Sequence, residues 1–149
     1  MEVFKNLNDK NFIRLSRTMI QVLSEGEDGG SGLEAAVMFS ELIAEYEYWS
    51  GRKVIKEDGF FFSTVENIKN KTGLSKHKQL EAVKILKKFG LVETAQRGLP
   101  SKRYFKILKS GTDELKRKMK VYEKCNTEVS LEDLEENVMK KREFSGFSF

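Results

Sequence analysis

The side chains in this sequence best suited to chemistry are Ser75, Lys76, His77, Lys78, Lys84, Lys87 and Lys88, followed by Arg97, Lys102 and Arg103. Their chemistry is recognition rather than turnover. Lysine and arginine donate to phosphate oxygens, and a serine, lysine or histidine near a helix start can reach the edges of bases. The distribution of charge points to the same stretch. Residues 1–59 carry 7 Lys/Arg against 11 Asp/Glu (net −4), residues 60–109 carry 12 against 3 (net +9), and residues 110–149 carry 8 against 9 (net −1). Such concentration within one small chain favours a polyanionic partner docking on residues 60–109.

Catalytic constellations are harder to assemble. His77 is the single histidine and Cys125 the single cysteine, so the usual zinc ligand sets cannot be built. A nucleophile paired with histidine would have to use His77, which stands among lysines and reads as an exposed polar or DNA-facing group. The carboxylates Glu132, Asp133, Glu135 and Glu136 read as a solvated helix face. The glycine-rich stretch EGEDGGSG, residues 25–32, is not followed by the Lys-Ser/Thr pair that a phosphate-binding loop needs. We therefore expect no catalytic residue, no metal, no cofactor and no enzymatic activity.

The elements that would position the cationic residues follow from local signals. Phe60, Phe61 and Phe62 follow the Asp58-Gly59 turn signal and predict a short buried strand. Ser63 with Glu66 has capping-box spacing, predicting a helix with Val65 and Ile68 inward and a stop at Thr72-Gly73. Ser75 is then the N-cap of a second helix, Lys76 to Phe89. At 100° per residue that helix places Ala82, Ile85, Leu86 and Phe89 inward with Val83 at the margin. Outward go Lys76, His77, Glu81, Lys84, Lys87 and Lys88, with Leu80 among them. Gly90 ends the helix, residues 91–96 and 103–108 have strand character, and Arg97 to Lys102 forms a basic hairpin tip containing the chain's one proline, Pro100. Strand, helix, tight turn, helix and basic hairpin make a winged helix-turn-helix, with the second helix in the recognition position and the hairpin as its wing.

The remaining chain supports this unit. Phe12, Ile13, Leu15, Met19, Ile20 and Leu23 predict a strand followed by a helical turn. Ser31 with Glu34 predicts a capped helix to about Trp49 whose inner stripe is Leu33, Ala36, Val37, Ser40, Ile43, Ala44 and Glu47. Lys53 to Glu57 predicts a short strand or hairpin arm. Beyond the wing, Thr112 is expected to cap a helix over 113–124 with a stripe of Leu115, Met119 and Tyr122, and Ser130 a second over 131–142. Thin stripes of this kind dock on the domain, pair with a second copy or await a protein partner. The end, REFSGFSF, reads as a frayed terminus, with a docking peptide as the alternative. The expected fold is mainly α with a small antiparallel β wing, an α+β class. Residues 1–110 form the winged helix-turn-helix, with residues 1–30 partly irregular, and residues 111–149 a charged helical extension with an aromatic tail. There is no membrane-length apolar run and no signal-peptide plan, and with one cysteine a cytoplasmic location fits.

The stretch EDGFFFSTVENIKNKTGLSKHKQLEAVKILKKFGLVETAQRGLPSKRYFKI resembles the N-terminal winged-helix domain of replication initiators and replisome organisers on phages, plasmids and integrative elements of Gram-positive bacteria. The likeness rests on the DG-aromatic strand, the T-V-E-x-I helix, the G-L-S turn, the K-x-L-x-x-x-G-L-V exit and the R-G-L-P-x-K-R-Y-F wing, and covers about residues 33–108. It implies a module that binds double-stranded DNA, with Ser75, Lys76, His77 and Lys78 near bases and Lys84, Arg97, Lys102 and Arg103 on the backbone. It implies a role in replication initiation or its control. A transcriptional regulator that dimerises through the C-terminal helices, and a winged helix used only for protein contacts, are the other readings of the same residues.

Overall fold

The structure, a computed structural model, describes residues 12–25 and 31–128. Eight elements follow in order: α1 (Arg17–Leu23), α2 (Ser31–Gly51), β1 (Phe61–Phe62), α3 (Val65–Thr72), α4 (Lys76–Lys88), β2 (Val92–Arg97), β3 (Lys102–Ile107) and α5 (Lys109–Glu128). The strands form one antiparallel sheet in the order β1-β3-β2. An α+β fold with a helix-turn-helix and a β-hairpin wing is what the sequence pattern predicts.

The helix-turn-helix is closed by local chemistry. Thr64, in an extended conformation, accepts a hydrogen bond from the Asn67 amide at 3.0 Å and caps α3. The expected cap, Ser63, instead continues the β1 pairing, its amide donating to the Arg103 carbonyl at 3.1 Å, so the cap moves one residue on. Gly73 sits at φ 78, left-handed, and its amide returns to the Lys69 carbonyl at 2.8 Å. A side chain is disfavoured at that angle, which is why glycine stands at the turn. Leu74 is buried beneath the turn, and Ser75 caps α4 by accepting from the Lys78 amide at 3.3 Å.

The core joins Val22 and Leu23 of α1, Met38, Phe39 and Leu42 of α2, Ile68 of α3, Ala82 and Leu86 of α4, and Leu91, Phe105 and Leu115. The inner face of α2 matches the expected stripe only in part: Ala36 is buried and Val37 and Ile43 pack against the core. Leu33 is 48% exposed and Ala44 and Glu47 lie outside, whereas Ala35, Met38, Phe39 and Leu42 are buried together with Glu41 and Glu45. The two carboxylates are tolerated because α3 answers them: Lys71 Nζ stands 3.3 Å from Glu41 and 3.8 Å from Glu45, and Asn67 Nδ2 donates to Glu45 Oε1 at 2.5 Å. A buried charge needs such partners.

Other departures lie at the ends. Residues 12–16 precede α1 without forming a strand, and α2 continues to Gly51. Lys53 to Glu57 is not a strand either. The Lys53 and Val54 amides fold back on the Ser50 and Trp49 carbonyls with Lys53 at φ 56, so these residues are consumed in terminating α2. Helix α5 starts at Lys109, three residues before the expected cap. The Leu108 amide donates to the Leu91 carbonyl, and the Thr112 hydroxyl donates to the Leu108 carbonyl within the first turn. The stripe of Leu115, Met119 and Tyr122 docks on the core beside α1, so the boundary expected after residue 110 falls inside a helix that belongs to the domain. At Gly111 the helix crosses the α4–β2 turn so closely that a Cβ would collide with the Gly90 carbonyl. The second C-terminal helix, over 131–142, and the aromatic tail lie outside the described residues.

Candidate nucleic-acid interface

Helix α4 buries Gln79, Ala82, Val83, Ile85 and Leu86, which turns Lys76, His77, Leu80, Lys84, Lys87 and Lys88 to the surface. These exposed residues form one cationic band along the helix. Glu81 interrupts it at the edge, half-exposed and paired with Lys84 at 3.0 Å. Leu80, 48% exposed, sits near the middle of the band. Lys78 is the exception among the expected cations. It projects to the flank beside α2 and pairs with Glu34 at 3.1 Å. Ser75 spends its hydroxyl on the helix cap.

The wing is a regular ribbon in which Val92 pairs with Ile107 and Arg97 with Lys102, leaving a four-residue loop of Gly98, Leu99, Pro100 and Ser101. Side chains alternate across it. Arg103, Phe105 and Ile107 face the helices, while Arg97, Lys102, Tyr104 and Lys106 face outward with Phe62 and Phe60. On that outer surface Arg97 pairs with Asp58 at 2.7 Å and stacks over Phe60 at 4.6 Å. The Arg97 contact holds the Asp58 carboxyl below its ordinary range. Lys102 Nζ stands over the Phe62 ring at 5.1 Å. Together with Trp49, Val54 and Tyr104 these residues line an open groove of about 670 Å³.

Arg103 departs furthest from its expected place on the wing surface. Its Nε donates to the Ser63 carbonyl at 3.0 Å, its Nη2 to Gln79 Oε1 at 2.9 Å, and its guanidinium covers the Phe105 ring at 4.7 Å. Burial, opposed by the nearby Glu45 carboxylate, pushes its pKa down to about 10. Gln79, fully buried, completes the joint by donating to the Val65 and Leu74 carbonyls, both at 2.9 Å. One amide thus ties the start of α3, the turn and, through Arg103, the wing to α4. Sequence reasoning did not single out Gln79, although its spacing from Ala82, Val83 and Leu86 places it on the inner face.

The arrangement can bind anions along α4 and at Lys102, and it fixes the angle between helix and wing. Among the described residues no group of three His, Cys, Asp or Glu comes together as metal ligands, and no helix is long and apolar enough to cross a membrane.

Comparison with solved structures finds the same fold elsewhere. One neighbour, described as the N-terminal domain of a DNA-binding protein, is 16% identical with a TM-score of 0.50, covering 67% of this chain and 76% of that one. Another, described as a Rep–DNA complex, is 17% identical with the same TM-score and coverage. No family model matches the sequence, and comparison with curated protein sequences finds no match.

Proposed function

We propose that this chain binds double-stranded DNA by laying α4 in the major groove, with the wing on the adjoining backbone, in the service of replication initiation or its control. The observation that carries the proposal is the cationic band of Lys76, His77, Lys84, Lys87 and Lys88 on the exposed side of the second helix of a helix-turn-helix. In this fold that is the side a groove receives. Lys76 and His77, in the first turn of α4, are assigned to base edges, and Lys84, Lys87, Lys88 and Lys102 to phosphates. Lys78, Arg97 and Arg103 are tied to residues outside their own elements and are left out of the assigned contacts, whereas the exposed Lys84 pairs with Glu81 within α4 and stays assigned. A similarly folded structure described as a Rep–DNA complex supports the replication role, and the resemblance carried by the motifs of residues 33–108 is the ground for a mobile-element setting.

Selection of bound duplexes from a random pool tests this. An enriched site in direct repeats supports the initiator reading, and a palindrome with half-sites about one helical turn apart supports a dimeric transcriptional regulator. Absence of any salt-sensitive duplex binding would refute the DNA reading and leave the protein-interaction reading of the fold.

A further inference from the structure

Leu99, at the tip of the wing, is fully exposed and is the most exposed large hydrophobic side chain among the described residues. A lone surface leucine is ordinary. Its mounting is not. Behind the tip, Arg97 is pinned to Asp58 at 2.7 Å and stacked over Phe60. Across the loop, the Ser101 hydroxyl donates to Gln96 Oε1 at 2.9 Å. Pro100 restricts its own backbone, and one residue past the loop's closing pair Arg103 bolts β3 to Gln79 of α4. The leucine therefore stands on a stiff ribbon at a fixed distance from α4, flanked by Arg97 and Lys102. An apolar side chain held rigidly beside a cation has the composition of a wedge that parts stacked bases in the minor groove while the neighbouring Lys102 holds a phosphate.

We propose that Leu99 is such a wedge and that the protein kinks the duplex it binds. The proposal rests on the DNA-binding reading above and goes beyond it. As α4 occupies the major groove, the wing tip enters the adjacent minor groove, where Leu99 inserts at one base step and bends the DNA away from the wing. The device needs no charge change and no movement of the protein, because the joint through Gln79 and Arg103 already sets its position.

The test uses the full chain and a short duplex carrying a site recovered by the selection, with 2-aminopurine replacing each adenine in turn and dyes at the two ends. The expected result is a several-fold rise in 2-aminopurine fluorescence at one step beside the α4 footprint, with a shortened dye separation. Both should vanish in Leu99→Ala and Leu99→Ser and persist in Leu99→Phe, while the salt dependence stays constant because no charge is altered. Salt-dependent binding to straight DNA with every base stacked would overturn the wedge alone, as would a kink that survives Leu99→Ala. Absence of salt-dependent duplex binding would overturn the wedge and the DNA reading together. Leu99 packs against nothing, so these variants fold as the parent does.

Discussion

Replacing Arg103 with methionine should destabilise the protein without altering how its DNA binding responds to salt. The guanidinium makes two hydrogen bonds, at 3.0 Å to the Ser63 carbonyl and 2.9 Å to Gln79 Oε1. Each is charge-assisted and contributes about 1.5–3 kcal/mol, and its removal strands a buried acceptor. The cation over Phe105 adds about 1 kcal/mol. Against this, burying the guanidinium carries a cost, visible in a pKa pushed down to about 10. The variant recovers roughly 1–2 kcal/mol of it, after discounting for solvent around a partly buried group. The net loss is about 2–6 kcal/mol, which at about 4 °C per kcal/mol for a domain of this size lowers Tm by roughly 8–24 °C. Thermal unfolding followed by circular dichroism measures it. Arg103→Lys should fall nearly as far, since one ammonium cannot reproduce the fork, yet it would serve a phosphate well. An unchanged Tm in Arg103→Met, with the salt slope of DNA binding falling by about 0.9, would refute the strut and restore Arg103 to the DNA surface.

Two further outcomes are expected. Gly73→Ala meets no neighbouring atom and should cost only the left-handed backbone penalty of about 1–2 kcal/mol, whereas Gly111→Ala drives a methyl into the Gly90 carbonyl and should cost clearly more; equal losses in denaturant titrations would contradict the close crossing of α5. Glu45 has its carboxyl raised above the ordinary 4.5, chiefly by burial, with the Ser63 hydroxyl and Lys71 opposing. A raised folded pKa means that its stabilising contribution is full below the unfolded value and is lost as pH climbs through the folded one. Glu45→Gln, which mimics the protonated form, should therefore match the parent near pH 4 and gain on it towards pH 7; a gain that shrinks with rising pH would contradict the assignment.

The helix-turn-helix and wing were legible because their signals are local. Gly73, Ser75 and Gly90 mark the turn, the cap and the exit within a few residues of where each acts. The inner face of α2 was legible only in part, since helical spacing put Glu47 inward, whereas the carboxylates actually buried, Glu41 and Glu45, are those that Lys71 and Asn67 of α3 face. The start of α5 was hidden for a similar reason, being set by the distant Leu91 carbonyl rather than by a capping side chain. The Arg103–Gln79 joint lay between these cases. Strand alternation puts Arg103 on the face of Phe105 and Ile107, so its inward direction was readable. What it meets there depends on two elements separated by many residues in sequence. Proximity in sequence to Lys102 made Arg103 look like a wing-surface cation, although adjacent strand residues face opposite ways.

The exposed band of α4 and Lys102 are proposed to form the DNA surface. The most direct measurement is duplex affinity as a function of salt for the full chain and for a variant with Lys84, Lys87 and Lys102 all changed to alanine. These side chains are exposed, so the variant should keep its Tm to within about 2 °C. The slope of log affinity against log salt should fall by about 0.9 for each lost contact, nearly three in all. A variant that binds duplex with the parent's slope would contradict this assignment and place the DNA, if any is bound, elsewhere on the protein.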